Sequence, residues 1–247
     1  MATPAAVAHT KRELFRLFRE EKRNPVPFYE ALADNTIAEL PFEVGTTRIL
    51  DLGCGPGHYT EALRRAGATV VPVDFDAGEL TAAGRPPTGA LAADAHRLPV
   101  PDRSMDGVFC SNLLEHTRDT QGVLTEIARV LKPGGWAWVS WTNWYSPWGG
   151  HEITPFHYLG PRLGLAAYRR IKGEPRKNVP GDALFPVHIG QTLELVRREG
   201  SLRLLDAFPR YYPSQRWIVR LPGVREVLTW NCVLALQRLD DAVSSPC

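Results

Sequence analysis

The stretch Arg48-Ile49-Leu50-Asp51-Leu52-Gly53-Cys54-Gly55-Pro56-Gly57-His58-Tyr59-Thr60 constrains this chain more than any other. A short apolar run is followed by a turn with glycine at alternate positions and then by the start of a helix. This pattern reads as strand, loop, helix, the opening unit of a parallel α/β sheet. Glycine has no Cβ, so the backbone of such a loop passes close to a ligand. The first turn of the helix leaves free N–H groups beside it. Asp51 closes the strand with a carboxylate aimed at the same place, which suits an ammonium group better than a phosphate. The dinucleotide pattern G-x-G-x-x-G is the competitor, but here the third glycine comes one residue early for it.

The next segments repeat the alternation. Residues 69–73 are apolar and β-branched, as a strand buried on both faces should be, and end in Asp74-Phe75-Asp76. Asp74 stands about 20 residues past the glycine loop, where an acid can bind both ribose hydroxyls. Phe75 reads either as a ring that lies against a base or as a core aromatic. A short helix is expected over 77–84 and a third strand over 89–93, followed by Asp94-Ala95 and His96-Arg97-Leu98-Pro99-Val100-Pro101-Asp102. Strand four, 105–110, leads into Ser111-Asn112-Leu113-Leu114-Glu115-His116. An amphipathic helix over 121–131 then reaches Lys132-Pro133-Gly134-Gly135, a tight turn into strand five, 136–141.

In this order, residues 45–141 resemble the class I (Rossmann-like) S-adenosylmethionine-dependent methyltransferases of the small-molecule, type 11-like kind. The acid-x-Gly-x-Gly-x-Gly loop, the acid and small residue ahead of L-P-x-P-D, and L-K-P-G-G before a strand carry the likeness. The resemblance implies a seven-stranded, mostly parallel sheet with helices on both faces and an antiparallel last strand. It implies S-adenosyl-L-methionine as methyl donor, held by Asp51, Gly53, Cys54, Gly55 and Gly57, with Asp74 on the ribose and Phe75 against the adenine. Asp94 would accept from the adenine amino group and the Ala95 backbone would donate. Ser111 and Asn112 would close under the methionine part. Two N-terminal helices, 10–21 and 28–40, would form a flap from which Tyr29, Lys22 and Arg23 could touch cofactor or substrate.

Residues 142–186 do not read as more sheet and helix. They are rich in aromatics, among them Trp144, Tyr145, Trp148, Phe156 and Tyr158, spaced by glycine and proline. Such a segment after strand five is a natural acceptor pocket. For an alcohol acceptor a proton must leave, and His116, His151 and His157 are the candidate bases. His151, Glu152 and His157 could also hold a divalent metal, a less favoured option. Arg162, Arg169, Arg170, Lys172, Arg176 and Lys177 form a local basic cluster that reads as a solvated face, with contact to an acidic or phosphorylated substrate as the other reading. Beyond them, a helix is expected over 189–199, strand six over 202–208, one broken helix or two over 215–228, and strand seven over 230–239.

The whole is expected to be one methyltransferase domain, 1–247: N-terminal helices 10–40, cofactor-binding core 45–141, substrate-binding insertion 142–188 and C-terminal sheet 189–240. A net charge of +2 argues against a nucleic-acid partner. No apolar run approaches the roughly 20 residues that cross a bilayer, and residues 1–10 lack the apolar stretch of a secretory signal. Cys54, Cys110, Cys232 and Cys247 make no C-x-x-C pair and read as reduced thiols in a cytoplasmic protein. Residues 242–247 read as a loose tail. The expected function is transfer of a methyl group to a small-molecule, sugar or lipid-linked acceptor, on oxygen. The alternatives are carbon or nitrogen methylation of a small metabolite, or a non-catalytic cofactor-binding protein.

Overall fold

A computed structural model describes residues 9–21 and 23–240. The Lys22 contact, the tail and most of the segment read for a signal lie outside the described residues. Seven strands form one sheet: β1 (Arg48–Leu52), β2 (Thr69–Asp74), β3 (Leu91–Ala92), β4 (Met105–Ser111), β5 (Leu131–Thr142), β6 (Leu202–Pro209) and β7 (Asn231–Arg238). Their order is β3-β2-β1-β4-β5-β7-β6. The first five pair in parallel, and β7 runs antiparallel to both β5 and β6.

The central strands are apolar on both faces because both are covered. Leu50, Val108 and Val139 lie under α5 (Thr120–Val130) and α7 (Ile189–Glu199). Ile49, Phe109 and Trp138 lie under α2 (Val26–Ala38) and α3 (His58–Arg65). Pairing between β4 and β5 jumps from Met105↔Leu131 to Gly107↔Trp136. Lys132, Pro133 and Gly134 loop out, with Gly134 at φ 76°, which is the tight turn expected there. The Trp136 indole crosses Gly107, where a Cβ would lie 2.5 Å from Cε2 and Cζ2. Trp136 is stacked in turn on Phe42, with centroids 4.7 Å apart.

α1 (Lys11–Glu20) opens with a capping box between Thr10 and Glu13. α2 starts at Val26 rather than 28, because Pro27 fits a first helical turn. α4 (Ala77–Leu80) is shorter than expected; Gly84 at φ 93° and Pro86-Pro87 do not continue a helix. The larger correction is α6 (Pro161–Lys172), a regular helix within the segment read as irregular. Pro161 starts it as a first-turn proline, and its basic side chains masked the apolar side that Leu165 and Tyr168 pack on Trp144, Ile153 and Leu184. The broken helix is a 3₁₀ stretch, Pro213–Arg220, followed by α8 (Val224–Leu228).

Both ends of the insertion meet one residue. Asn143 Nδ2 donates to the Glu226 carbonyl. The Glu226 carboxylate accepts from the N–H groups of Ile189 (2.9 Å) and Gly190 (2.8 Å), capping α7. Among the described residues no helix is long and apolar enough to cross a membrane.

Candidate functional site

A cleft of about 720 Å³ opens beyond the carboxyl ends of β1, β2 and β4, where open parallel sheets collect ligands. The glycine loop forms its floor, and its glycines are needed for different reasons. Gly53, at φ 75°, faces Leu113, whose Cβ would be 3.2 Å from an added methyl. Gly57, at φ 87°, meets Pro87, with Cγ 2.3 Å from that position. Gly55, at φ 48°, has nothing within 4 Å of its missing Cβ. That open space lies on the cleft, so a ligand can rest on the Gly55 backbone.

Asp74 lines the cleft from the end of β2. Its Oδ2 accepts from Gly55 N–H at 2.8 Å and its Oδ1 from Asp76 N–H at 2.9 Å. Each oxygen keeps acceptor capacity for a further donor. Phe75 is 77 % exposed at the cleft, an apolar ring waiting for a flat cover. Asp94 and Ala95 line the same wall. Bonds from the His96 N–H and the His96 ring hold the Asp94 carboxyl below its ordinary range. Asn112, at φ 55°, also lines the cleft, tethered by its N–H to the Ser140 carbonyl and through Oδ1 to Asn231.

Other expected residues sit elsewhere. Asp51 is 2 % exposed and does not line the cleft; it accepts from Thr60 Oγ1 at 2.5 Å. The pleat of β1 turns Asp51 toward Thr60 of α3, and the cleft is lined from Leu52 and Gly53 onward. Burial pushes the Asp51 carboxyl up to about 7; the Asp74 charge adds to this and the Thr60 hydroxyl opposes it. Cys54 is buried behind the loop, its thiol pushed up by burial. Tyr29 stays off the cleft, its ring stacked on His58 at 5.8 Å and its hydroxyl on Glu21. Arg23 is exposed and also off the cleft. Ser111 turns to the opposite side, accepting from Arg210 Nη1 at 3.0 Å.

The raised Asp51 value has a measurable consequence. A proton held more tightly in the fold than in the unfolded chain (ordinary value 3.8) stabilises the fold at low pH, and that stability is lost as pH rises through about 7. Asp51→Asn should therefore melt above wild type at about pH 8.5, with the gap closing toward about pH 5. Parallel melting curves across that range would contradict the buried, protonated carboxyl.

The histidines separate into two groups. His116 lines the cleft and donates from Nδ1 to the Ala183 carbonyl at 2.8 Å. His151 meets it edge-on, with centroids 5.3 Å apart, and burial lowers its basicity. His157 is wholly buried off the cleft, bonded to the Ser146 carbonyl and edge-on to Trp144. Glu152 accepts from the Lys177 backbone. The trio His151, Glu152 and His157 therefore does not converge; instead Glu115 and His116 join His151, with one ligating atom of each within 4.8 Å of the others.

One residue that lines the cleft and one half-buried arginine off it were not singled out in the sequence. Lys177, read as part of a solvated face, lines the cleft and pairs with Glu79. Arg210, just past β6, is half-buried among Ser111, Thr36 and Tyr59 hydroxyls and lies over the Tyr59 and Trp138 rings. Its place at the carboxyl end of a strand parallel to β5 was the available signal.

A seven-stranded sheet in this order, with a glycine loop after β1 and an acid after β2 on one cleft, defines a Rossmann-like, nucleoside-binding class of protein. A family model described as a methyltransferase domain matches residues 50–139. An uncharacterized methyltransferase of Mycobacteroides abscessus is 37% identical over 249 residues, 94% of this chain and 95% of its own. One from Mycobacterium bovis (strain BCG) is 39% identical, covering 92% and 95%. The S-adenosylmethionine-dependent methyltransferase of Mesorhizobium loti superposes with TM-score 0.59 at 24% identity, covering 85% of this chain and 100% of that one. The [4+2]-cyclase SpnF gives 0.55 at 18%, covering 86% and 82%. These two structures share the fold. The chain belongs to the class I, Rossmann-like S-adenosylmethionine-dependent methyltransferases.

Proposed function

We propose that the chain methylates a hydroxyl oxygen of a small-molecule acceptor, a sugar or lipid-linked metabolite included, with S-adenosylmethionine as donor. When bound, the cofactor supplies an electrophilic methyl carbon on its sulfonium. The residues of the cleft fit it. Gly55 leaves the space a Cβ would fill, Asp74 offers acceptors for two ribose hydroxyls, and Phe75 offers a face to the base. Asp94 and the Ala95 backbone stand at the base's edge, and the Asn112 loop lies under the remaining end. The chain's contribution to rate is position and exclusion of water.

The observation that supports oxygen is His116 on the cleft wall with His151 edge-on against it. Their Nδ1 atoms point at the Ala183 and Gly149 carbonyls, so each Nε2 keeps a lone pair for a hydrogen bond from an alcohol. The exposed rings of Tyr145 and Trp148 give the insertion apolar surface for the rest of the acceptor.

The test is methyl transfer from labelled cofactor to a panel of phenols, sugar alcohols, carboxylic acids and amines, with the product linkage identified. Ether products, reduced in kcat by about 100-fold or more in His116→Gln, are expected. Label found only on nitrogen or carbon would overturn the oxygen reading. Label on no acceptor, with the cofactor still bound, would favour a binding protein.

A further inference from the structure

The geometry points to a divalent-cation site formed by Glu115, His116 and His151, from the loop after β4 and the insertion. Its chemical role rests on the methyl-transfer reading above; its existence does not. One ligating atom of each residue lies within 4.8 Å of the others. The outward atom of each is occupied by backbone. His116 Nδ1 donates to the Ala183 carbonyl at 2.8 Å, which fixes the tautomer and leaves Nε2 as the ligating nitrogen. His151 Nδ1 faces the Gly149 carbonyl at 3.5 Å, with the same consequence. Glu115 Oε1 accepts from Thr142 N–H at 2.9 Å. Carbonyl-tethered imidazoles are the usual outer shell of bound metals.

Two further observations point to a missing partner. Glu115 is 1 % exposed, and its Oε2 is buried with no hydrogen-bond donor. A carboxylate oxygen left so is costly, and among the described residues no lysine or arginine pairs with it. His151 is held at φ 48°, a left-handed conformation that a residue with a Cβ avoids. That backbone turns its ring onto His116 rather than away from it.

Two imidazoles and one carboxylate suit manganese, iron, cobalt or zinc better than calcium or magnesium. His116 lines the cleft, so the open coordination positions lie on the acceptor's side. A hydroxyl held there loses its proton to water more readily. The oxygen–methyl bond then forms as the sulfur–methyl bond breaks, and the sulfonium leaves as a neutral thioether. In this refinement the imidazoles act as ligands, and the cation's charge does what a lone base would otherwise do.

The test is titration of the full chain with Co²⁺, followed by visible absorption and calorimetry. S-adenosylhomocysteine binding is measured on the same samples. Wild type should take up one Co²⁺ with a Kd on the order of 1 µM and show ligand-field bands. Glu115→Gln keeps an acceptor for Thr142 N–H, and His151→Asn keeps a residue that tolerates left-handed backbone, so both should fold. Each should weaken Co²⁺ binding by about 100-fold or more while leaving S-adenosylhomocysteine affinity within about twofold. No stoichiometric uptake by wild type, or uptake undiminished in both variants, would overturn the site. If that happens while S-adenosylhomocysteine still binds, methyl transfer stands with His116 and His151 as bare proton acceptors. If S-adenosylhomocysteine does not bind, the methyl-transfer reading fails separately.

Discussion

Asp74→Ala is expected to weaken S-adenosylmethionine and S-adenosylhomocysteine binding by at least about 100-fold, on the order of 3 kcal/mol. Two roles converge on this carboxylate. It offers charged acceptors where a ribose would place two hydroxyls, and bonds of that kind are worth about 1.5–3 kcal/mol each when buried by ligand. It also takes the N–H groups of Gly55 and Asp76 and so holds the loop at the shape the ligand needs. Asp74→Asn separates the two roles in part. The amide keeps one acceptor but presents N–H₂ where Gly55 or Asp76 donates, so an intermediate loss is expected. Calorimetric titration of all three proteins decides it. Affinity in Asp74→Ala within about threefold of wild type would remove Asp74 from the ribose position.

Gly107→Ala should produce the largest loss of stability, about 3 kcal/mol. The added methyl would sit 2.5 Å from two atoms of the Trp136 indole. That ring has little room to yield, because Phe42 is stacked on it in near-parallel planes 4° apart. Relief needs either a shift of β5 against β4 or an off-rotamer tryptophan, and both are costly in a close-packed interior. Urea unfolding should show a lower midpoint with an unchanged slope. The fraction that remains folded should bind cofactor as wild type does, since Gly107 lies near the start of β4 and the cleft at its end. A midpoint unmoved in Gly107→Ala would mean that the Trp136 ring relaxes freely. Loss of stability without loss of affinity, against the reverse pattern for Asp74→Ala, separates scaffold from site.

What the chain disclosed before folding was local. A strand, a glycine loop and a helix are written in adjacent residues, so β1, α3 and α7 stand where the periodicity put them. The place of Asp74 on the cleft was legible because a strand–loop–helix–strand unit sets the number of residues from the glycine loop to the end of β2. The side of the sheet that Asp51 faces was not legible: successive strand residues point to opposite faces, and Asp51 lies on the face that packs on Thr60 of α3. The helix α6 was hidden because its sequence carries glycine and five charged or proline positions, and its apolar side faces only a small satellite cluster. The convergence of Glu115 and His116 with His151 could not be seen in spacing. It depends on how the insertion folds back over the loop after β4, where Phe185 N–H bonds the Glu115 carbonyl. His157 looked equivalent to His151 in sequence, yet its ring is buried in the space a Cβ on Gly150 would need, while the His151 ring meets His116.

The clamp at Glu226 bears on how such a chain can diversify. A segment of more than forty residues leaves the sheet at Asn143 and ends at Ile189, where α7 starts, and one residue of α8 grips both points. With its exit and entry stitched together, the segment behaves as a cassette. Its length and contents can change at a closure cost that rises only with the logarithm of its length, while the strands on either side keep their register. Exchange of the segment between relatives at these two borders would leave the sheet intact and alter the wall of the cleft that Lys177, Ala183 and Phe185 line, provided the glutamate travels with the sheet.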